Sequence, residues 1–227
     1  GGGTLMAEVF AAANDLVLQT TNSDGQLIFK SAAGSEAMRI DAAGTVGVGV
    51  TPATDWGDDG IQIGAKGTLS GGSSYTGFAF NAYPTSSGWA SKYTQTDEAS
   101  LYLQGAGLHL WYNAASGTAG TSITWQERMR IAADGNVGIG TSSPSDKLHV
   151  YSGASGGSPH SYTQLLVEHS THNAIQLLSP DSTEQALWFG DASSSTVGGV
   201  TYYHPDNIMT FRSNGSERMR INSAGNV

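Results

Sequence analysis

One stretch of this sequence occurs three times, and this internal repeat constrains the fold more than any other feature. Each copy contains the triplet Met-Arg-Ile. The methionines of the three triplets are spaced 91 and then 90 residues apart. Self-similarity at a fixed interval is typical of proteins built from tandem units that complete one another's core. The repeated positions are Met38, Arg39, Ile40, Gly44, Met129, Arg130, Ile131, Gly135, Gly138, Gly140, Met219, Arg220, Ile221 and Gly225.

The repeated motif predicts two short strands joined by a tight turn. In Met-Arg-Ile the apolar residues alternate with arginine, which is the period of a half-buried strand. Gly44, Gly135 and Gly225 supply the turn, because glycine tolerates positive φ. Further glycines then alternate with branched residues, and a glycine inside a strand is best explained where another backbone approaches closely. We therefore expect tight contact between chains or sheets at Gly47, Gly49, Gly138 and Gly140.

Every motif arginine has a glutamate three residues before it. Recurrence of the pair with the repeat indicates a structural role, and we predict an ion pair between strands or between chains on the polar face. The three pairs are Glu36–Arg39, Glu127–Arg130 and Glu217–Arg220.

The stretches between the copies predict further short strands. Apolar runs at 101–103, 108–112 and 174–178 are bounded by Gly, Asn, Asp and Pro, which is typical of strands separated by turns. The chain has 31 glycines, about twice the ordinary usage, and a composition rich in Gly, Ser and Thr disfavours long helices. We predict an all-β fold.

The repeat also divides the chain into units of about 90 residues, which on their own bury limited apolar area and need neighbouring units or chains to complete a core. We expect this sequence to be a segment of a longer protein. The predicted units are a truncated first repeat at 1–51, a second repeat with an aromatic-rich insertion at 52–143, and a third repeat at 144–227.

Composition and charge argue against several classes of function. A net charge of −9 with only ten Lys and Arg residues disfavours nucleic acid as a partner, because a phosphate backbone attracts a basic surface. No run of 18 apolar residues is present, so we expect no membrane insertion. The absence of cysteine excludes disulfides and thiolate metal ligands, and no cofactor motif is found.

The chemistry of an enzyme is also not indicated. No nucleophile motif occurs, and the paired acids Asp58-Asp59 and Asp97-Glu98 are adjacent residues, which on a strand point to opposite faces. A glycosidase needs two carboxylates facing each other across a sugar-binding cleft. We predict no catalysis, with a polysaccharide depolymerase kept as an alternative.

The motif resembles the repeats of tailed-bacteriophage tail fibres. The resemblance rests on Gly-Ser-Glu-Arg-Met-Arg-Ile-Asn-Ser-Ala-Gly-Asn-Val at 215–227 and on residues 127–150, which run through Gly-Ile-Gly-Thr-Ser-Ser-Pro to Lys-Leu-His-Val. With the intervening strands it covers most of the chain. In that family such repeats often lie upstream of a C-terminal intramolecular chaperone domain.

The resemblance implies an elongated fibre, an intertwined or side-by-side homotrimer, located in the tail fibre on the outside of the virion. Its implied partners are other tail-fibre or virion proteins and a host surface polysaccharide or outer-membrane receptor. The implied function is a structural shaft or attachment segment. The alternative that we keep is a secreted bacterial or algal surface adhesin with the same repeats.

The insertion in the second repeat carries the candidates for receptor binding. Exposed aromatic rings beside small polar residues can stack on sugar rings, so the cluster predicts glycan contact. The alternative is that these rings form the core of a unit poor in aliphatic residues. The candidates are Tyr75, Phe78, Tyr83, Trp89 and Tyr93.

Overall fold

The computed structural model describes residues 7–12, 15–20, 25–57, 59–85 and 90–227, the first two ranges as backbone alone. These residues form strands and no helix, so the predicted all-β class is confirmed. The strands are β1 (Ala7–Ala12), β2 (Asp15–Thr20), β3 (Leu27–Lys30), β4 (Glu36–Ile40), β5 (Val46–Val48), β6 (Asp59–Ile63), β7 (Gly67–Gly71), β8 (Thr76–Phe80), β9 (Ala82–Pro84), β10 (Ser91–Tyr93), β11 (Asp97–Gly105), β12 (Leu108–Gly117), β13 (Gln126–Ile131), β14 (Val137–Ile139), β15 (Leu148–Ser152), β16 (Leu165–His169), β17 (Glu184–Phe189), β18 (Gly198–Tyr203), β19 (Ile208–Ser213) and β20 (Ser216–Ile221).

The chain divides into two compact units, Gly1–His172 and Asn173–Val227. The first contains β1 to β16 and the second contains β17 to β20. The boundary between the units lies inside the predicted third repeat, so the compact units and the sequence repeats are different divisions. The repeat boundaries stay predictions.

Twelve strands of the first unit form one sheet in which the neighbours follow chain order, from β3 to β8 and then from β11 to β16. Most pairs are antiparallel, whereas β5–β6, β14–β15 and β15–β16 are parallel. The strands β9 and β10 form a separate antiparallel pair. Each stretch of chain therefore extends the same sheet beside the stretch before it.

The two faces of this sheet differ, because alternate residues of each strand point to opposite sides. We call the side that carries Gln62, Thr68 and His149 the covered face, and these polar residues are buried. The opposite side, which carries Ile63, Phe78 and Ile139, is called the open face, and these three apolar residues are exposed.

The core of the first unit lies on the covered face, where the β9–β10 pair packs. It consists mainly of small residues, with tyrosine providing the larger volume. Its buried members are Ala82, Tyr93, Ala99 and Ala114, with Ala79, Ile123 and Trp125 packed against them.

In the second unit the order is β17-β18-β19-β20, and every pair is antiparallel. The strand predicted at 174–178 is wrong, since this segment forms no strand, and Ile175 and Leu178 are 72% and 82% exposed. Alternating apolar residues form a strand only where a neighbouring backbone pairs with them, and none of the described strands pairs with this segment.

Candidate functional site

The repeated motif forms the same backbone feature in all three copies. Along the motif strand, each pairing register skips one residue, which is a β-bulge. In the second copy Met129 pairs with Trp111 and Glu127 pairs with Tyr112, so Arg128 is the extra residue. Ala37 and Arg218 are the extra residues of the other copies.

The bulge explains how the motif glutamate and arginine meet. Residues three apart in a regular strand point to opposite faces, but the extra residue brings Glu127 and Arg130 to one side. Arg130 then donates two hydrogen bonds, from Nε to Oε1 at 2.6 Å and from a terminal nitrogen to Oε2 at 2.7 Å. The same bidentate pairs form between Arg39 and Glu36 and between Arg220 and Glu217.

These ion pairs lie within one strand, which corrects the prediction of pairs between strands or between chains. Bonding to arginine holds the pKa of Glu36 and of Glu217 below its ordinary value. The same bonding raises the pKa of Arg130. The pairs differ in solvent exposure, because the arginine side chain is 18% exposed at Arg130 and 54% at Arg220.

A return loop follows each of the first two motif copies, because β5–β6 and β14–β15 are parallel neighbours. The chain must travel back along the strand it has just left, and it does so over Gly47 and Gly138. A Cβ atom on Gly138 would lie 2.6 Å from the carbonyl oxygen of Thr141, and one on Gly47 would lie 2.3 Å from that of Val50. At these two glycines the close approach does not need a second sheet, while contact with another chain stays a prediction. The closely approaching backbone belongs to the same chain, three residues further on.

A buried polar side chain holds each return loop to the sheet. We call β4 to β6 the first joint and β13 to β15 the second joint. In the first joint Gln62 pairs with Gly47 in register and accepts a hydrogen bond from the backbone N–H of Ala53 at 3.2 Å. In the second joint His149 pairs with Gly138, and its Nδ1 accepts from the N–H of Ser145 at 3.4 Å.

The structure separates the five candidates for receptor binding. Tyr83 and Tyr93 are each only 6% exposed, which favours the alternative that these rings form the core. Burial and a hydrogen bond to Asp55 raise the pKa of Tyr83 to about 12. The hydroxyl of Tyr93 donates to the carbonyl of Ala115 at 2.6 Å.

Two further candidates, Tyr75 and Phe78, are described and are not members of this core. Phe78 is 52% exposed on the open face, where its ring stacks on Tyr102 at 6.4 Å between centroids. Tyr75 lies against Gly105, where a Cβ atom would come within 2.4 Å of Cδ1 of the tyrosine ring. Trp89 lies outside the described residues. The structure thus does not bring the five together into one exposed cluster.

A cavity of about 220 Å³ lies between the covered face and the β9–β10 pair. Its lining combines hydroxyls, such as those of Ser70 and Ser91, with Tyr75, Tyr83 and Leu101. This volume is below that of pockets for drug-sized ligands, and the mixed polar and aromatic lining suits a single sugar ring. The sequence predicted two of the lining residues, Tyr75 and Tyr83, but not Ser70, Ser91 or Leu101, because these residues carry no motif.

The structure describes three of the four paired acids, Asp59, Asp97 and Glu98. Asp97 makes an ion pair with Lys66, and this contact holds the pKa of Asp97 below its ordinary value. A glycosidase acid needs the opposite shift, because it must stay protonated until it donates. Asp58 lies outside the described residues.

The described residues contain no group of three or more His, Cys, Asp or Glu that could hold a metal ion. In the same residues there is no helix with the length and hydropathy needed to cross a membrane. No known protein family has a model that matches this sequence, and no curated protein matches it.

Proposed function

We propose that this chain is a structural, non-catalytic segment of a trimeric bacteriophage tail fibre that contributes to attachment to the host-cell surface. The observation that carries the proposal is the joint, which occurs twice in one sheet with the same register, return loop and buried acceptor. Because each joint adds strands beside the previous ones, repeating it lengthens the sheet with the chain. Lengthening by repetition is what a shaft requires.

Several other features support a role in a shaft. The bidentate ion pairs Glu36–Arg39 and Glu127–Arg130 and the buried acceptors Gln62 and His149 all belong to the joints. The resemblance of the motif to tail-fibre repeats supplies the phage context and the homotrimer. Attachment is assigned to the insertion between the two joints, which holds the cavity and the aromatic residues.

The oligomeric state and shape of the purified chain test the structural part. We expect sedimentation equilibrium to give three times the chain mass of 23.5 kDa, and small-angle scattering to give an elongated particle. A compact monomer at micromolar concentration would contradict the proposal.

Binding to bacterial surfaces tests the attachment part. The labelled chain is expected to bind cells of a susceptible host and the polysaccharide extracted from them. Ser70→Leu fills the cavity and is expected to reduce this binding, whereas Ser116→Leu places the same side chain on an exposed serine outside it. Equal binding by both variants would remove the cavity from attachment.

Trp89→Ala is the companion test for the aromatic candidate outside the described residues. Tyr83→Ala does not serve this purpose, since Tyr83 is buried and its loss disturbs the fold. Normal binding by a correctly folded Trp89→Ala variant would remove Trp89 as a receptor contact.

A further inference from the structure

A single apolar row crosses all twelve strands of the main sheet on its open face. Each member of the row pairs in register with the next, and none carries a charge. The row consists of Leu27, Ile40, Val46, Ile61, Leu69, Phe78, Tyr102, Trp111, Met129, Ile139, Val150 and Val167.

A second apolar row flanks the first at each end of the sheet. Beside β3 to β6 it is formed by Phe29, Met38, Val48 and Ile63, and beside β13 to β16 by Ile131, Val137, Leu148 and Leu165. The hydroxyl of Tyr102 is bonded to Nδ1 of His109 at 2.5 Å, so the most polar member of the central row is already satisfied. Burial of these apolar rows would therefore leave few polar groups without hydrogen-bond partners.

In β6, β7 and β15, burial is the reverse of what a solvated sheet face requires, because the buried residues Gln62, Thr68 and His149 are polar. An antiparallel sheet with one face in water places polar residues on that face and apolar residues on the core side. Here Gln62 and His149 are 4% and 2% exposed on the covered face, while Ile63 and Phe78 are 57% and 52% exposed on the open face. The open face therefore has the composition of a buried surface.

The second unit repeats this arrangement independently. There Leu187, Val200, Phe211 and Met219 pair in register across β17 to β20. Thr201, which points to the other side, is 2% exposed, whereas Leu187 is 59% exposed. The same inversion accompanies the third copy of the motif.

The size of the open face matches that of a stable protein interface. With strands about 4.8 Å apart and two rows about 7 Å apart along each strand, the apolar band covers roughly 700 Å². Stable interfaces bury about 800 Å² per partner, and contiguous apolar patches on monomers rarely exceed about 600 Å².

We propose that the open face packs against the open faces of other copies of this chain. The apolar row accompanies each copy of the motif, so its partner must present a similarly long and regular apolar surface. Another copy of this chain meets that requirement by its own sequence. The inference names the contact surface of the assembly in the proposed function, and rests on that proposal only for the number of copies.

Replacing exposed apolar residues by lysine tests the surface. Ile139→Lys and Phe78→Lys place charges on the open face, whereas Ile28→Lys changes an equally exposed residue on the opposite side of the same sheet, 39% exposed against 41% for Ile139. We expect sedimentation to give a monomer for each open-face variant and the wild-type oligomer for Ile28→Lys. Far-ultraviolet circular dichroism establishes that each variant is folded.

A cross-linking test does not depend on disruptive variants. The chain contains no cysteine, so Ile139→Cys introduces one thiol on the open face and Ser142→Cys one on the exposed return loop. A bifunctional maleimide of about 10 Å span, the spacing of packed sheets, is expected to link copies of Ile139→Cys in high yield and to leave Ser142→Cys largely unlinked.

The outcomes separate this inference from the proposed function. A wild-type trimer that persists in folded open-face variants, with no linkage through Ile139→Cys, overturns the inference and leaves the trimeric shaft standing. A wild-type dimer that the same variants dissociate supports the inference and overturns the trimer. A wild-type monomer at micromolar concentration overturns both.

Discussion

The first and second joints share one geometry but differ in the residue that holds the return loop. In the first joint an amide oxygen of Gln62 accepts the loop hydrogen bond, and in the second an imidazole nitrogen of His149 does so. Nε2 of His149 also lies 3.2 Å from Glu168, a contact that the first joint does not have in the described residues. The comparison indicates that the strand position paired with the glycine requires a buried hydrogen-bond acceptor. Either glutamine or histidine can supply this acceptor.

The largest loss of unfolding free energy is expected at the glycines over which the return loops pass, because a side chain there would clash with the loop backbone. Gly138→Ala puts a Cβ atom 2.6 Å from the Thr141 carbonyl oxygen, and overpacking of this kind costs about 3 kcal/mol of unfolding free energy. Gly47→Ala should cost at least as much, because its Cβ would also meet Pro52 at 2.7 Å. Urea denaturation at one protein concentration measures both.

Gly135→Ala is the control for these variants. Gly135 has a φ of +82° and nothing within 4 Å of its Cβ position, so alanine there introduces only backbone strain of about 1 kcal/mol. If Gly138→Ala is no more destabilising than Gly135→Ala, the return loop shifts freely and the proposed reason for the glycine is wrong.

Exchanging the acceptors between the joints should have an intermediate effect. His149→Leu leaves the N–H of the exposed Ser145 without its acceptor, and we expect the loss of this hydrogen bond to cost about 1.5 kcal/mol. His149→Gln places the residue of the first joint in the second and should recover most of this loss. The unfolding free energies of the two variants decide the matter, and equal losses would show that His149 does not act as a loop acceptor.

Breaking the ion pairs should have a smaller effect, graded by exposure. Arg130→Met removes a bidentate pair that is 18% exposed on each side, and we expect a loss of about 1 kcal/mol. Arg220→Met should cost less, since Arg220 is 54% exposed and water screens its charge. Thermal unfolding of both variants tests the order, and a greater loss for Arg220→Met would reverse it.

The smallest expected effect is a pH dependence of the folding stability that comes from the Glu36–Arg39 ion pair. The pKa of Glu36 lies below the ordinary value of 4.5 because Arg39 bonds its carboxylate. A lowered pKa means that the pair stabilises the folded state above pH 4.5, and that this contribution is lost as the pH falls below 4.5 through the folded-state pKa. Carbon-detected NMR titration should give a pKa for Glu36 that returns toward 4.5 in Arg39→Met. If the pKa of Glu36 is unchanged in Arg39→Met, the ion pair with Arg39 is not the cause of the lowered pKa.

The features that depend on local conformation could be predicted from the amino-acid sequence alone. The alternation in Met-Arg-Ile predicts the strands β4, β13 and β20, and the glycines at 44, 135 and 225 lie in turns with φ of +90°, +82° and +80°. Such preferences belong to a few consecutive residues, so they can be read without knowledge of the fold.

Which residues are buried, and what they contact, depends on tertiary structure and could not be predicted from the sequence. The bulge at Arg128 turns an expected contact between strands or chains into one within a strand, and the return loop over Gly138 supplies a close backbone contact from the same chain. Tyr83 lies in the core while Phe78 is exposed, although both are aromatic residues of one insertion. Burial depends on which strands and loops pair over long range, and local alternation assigns residues to two faces without saying which of them the chain will cover.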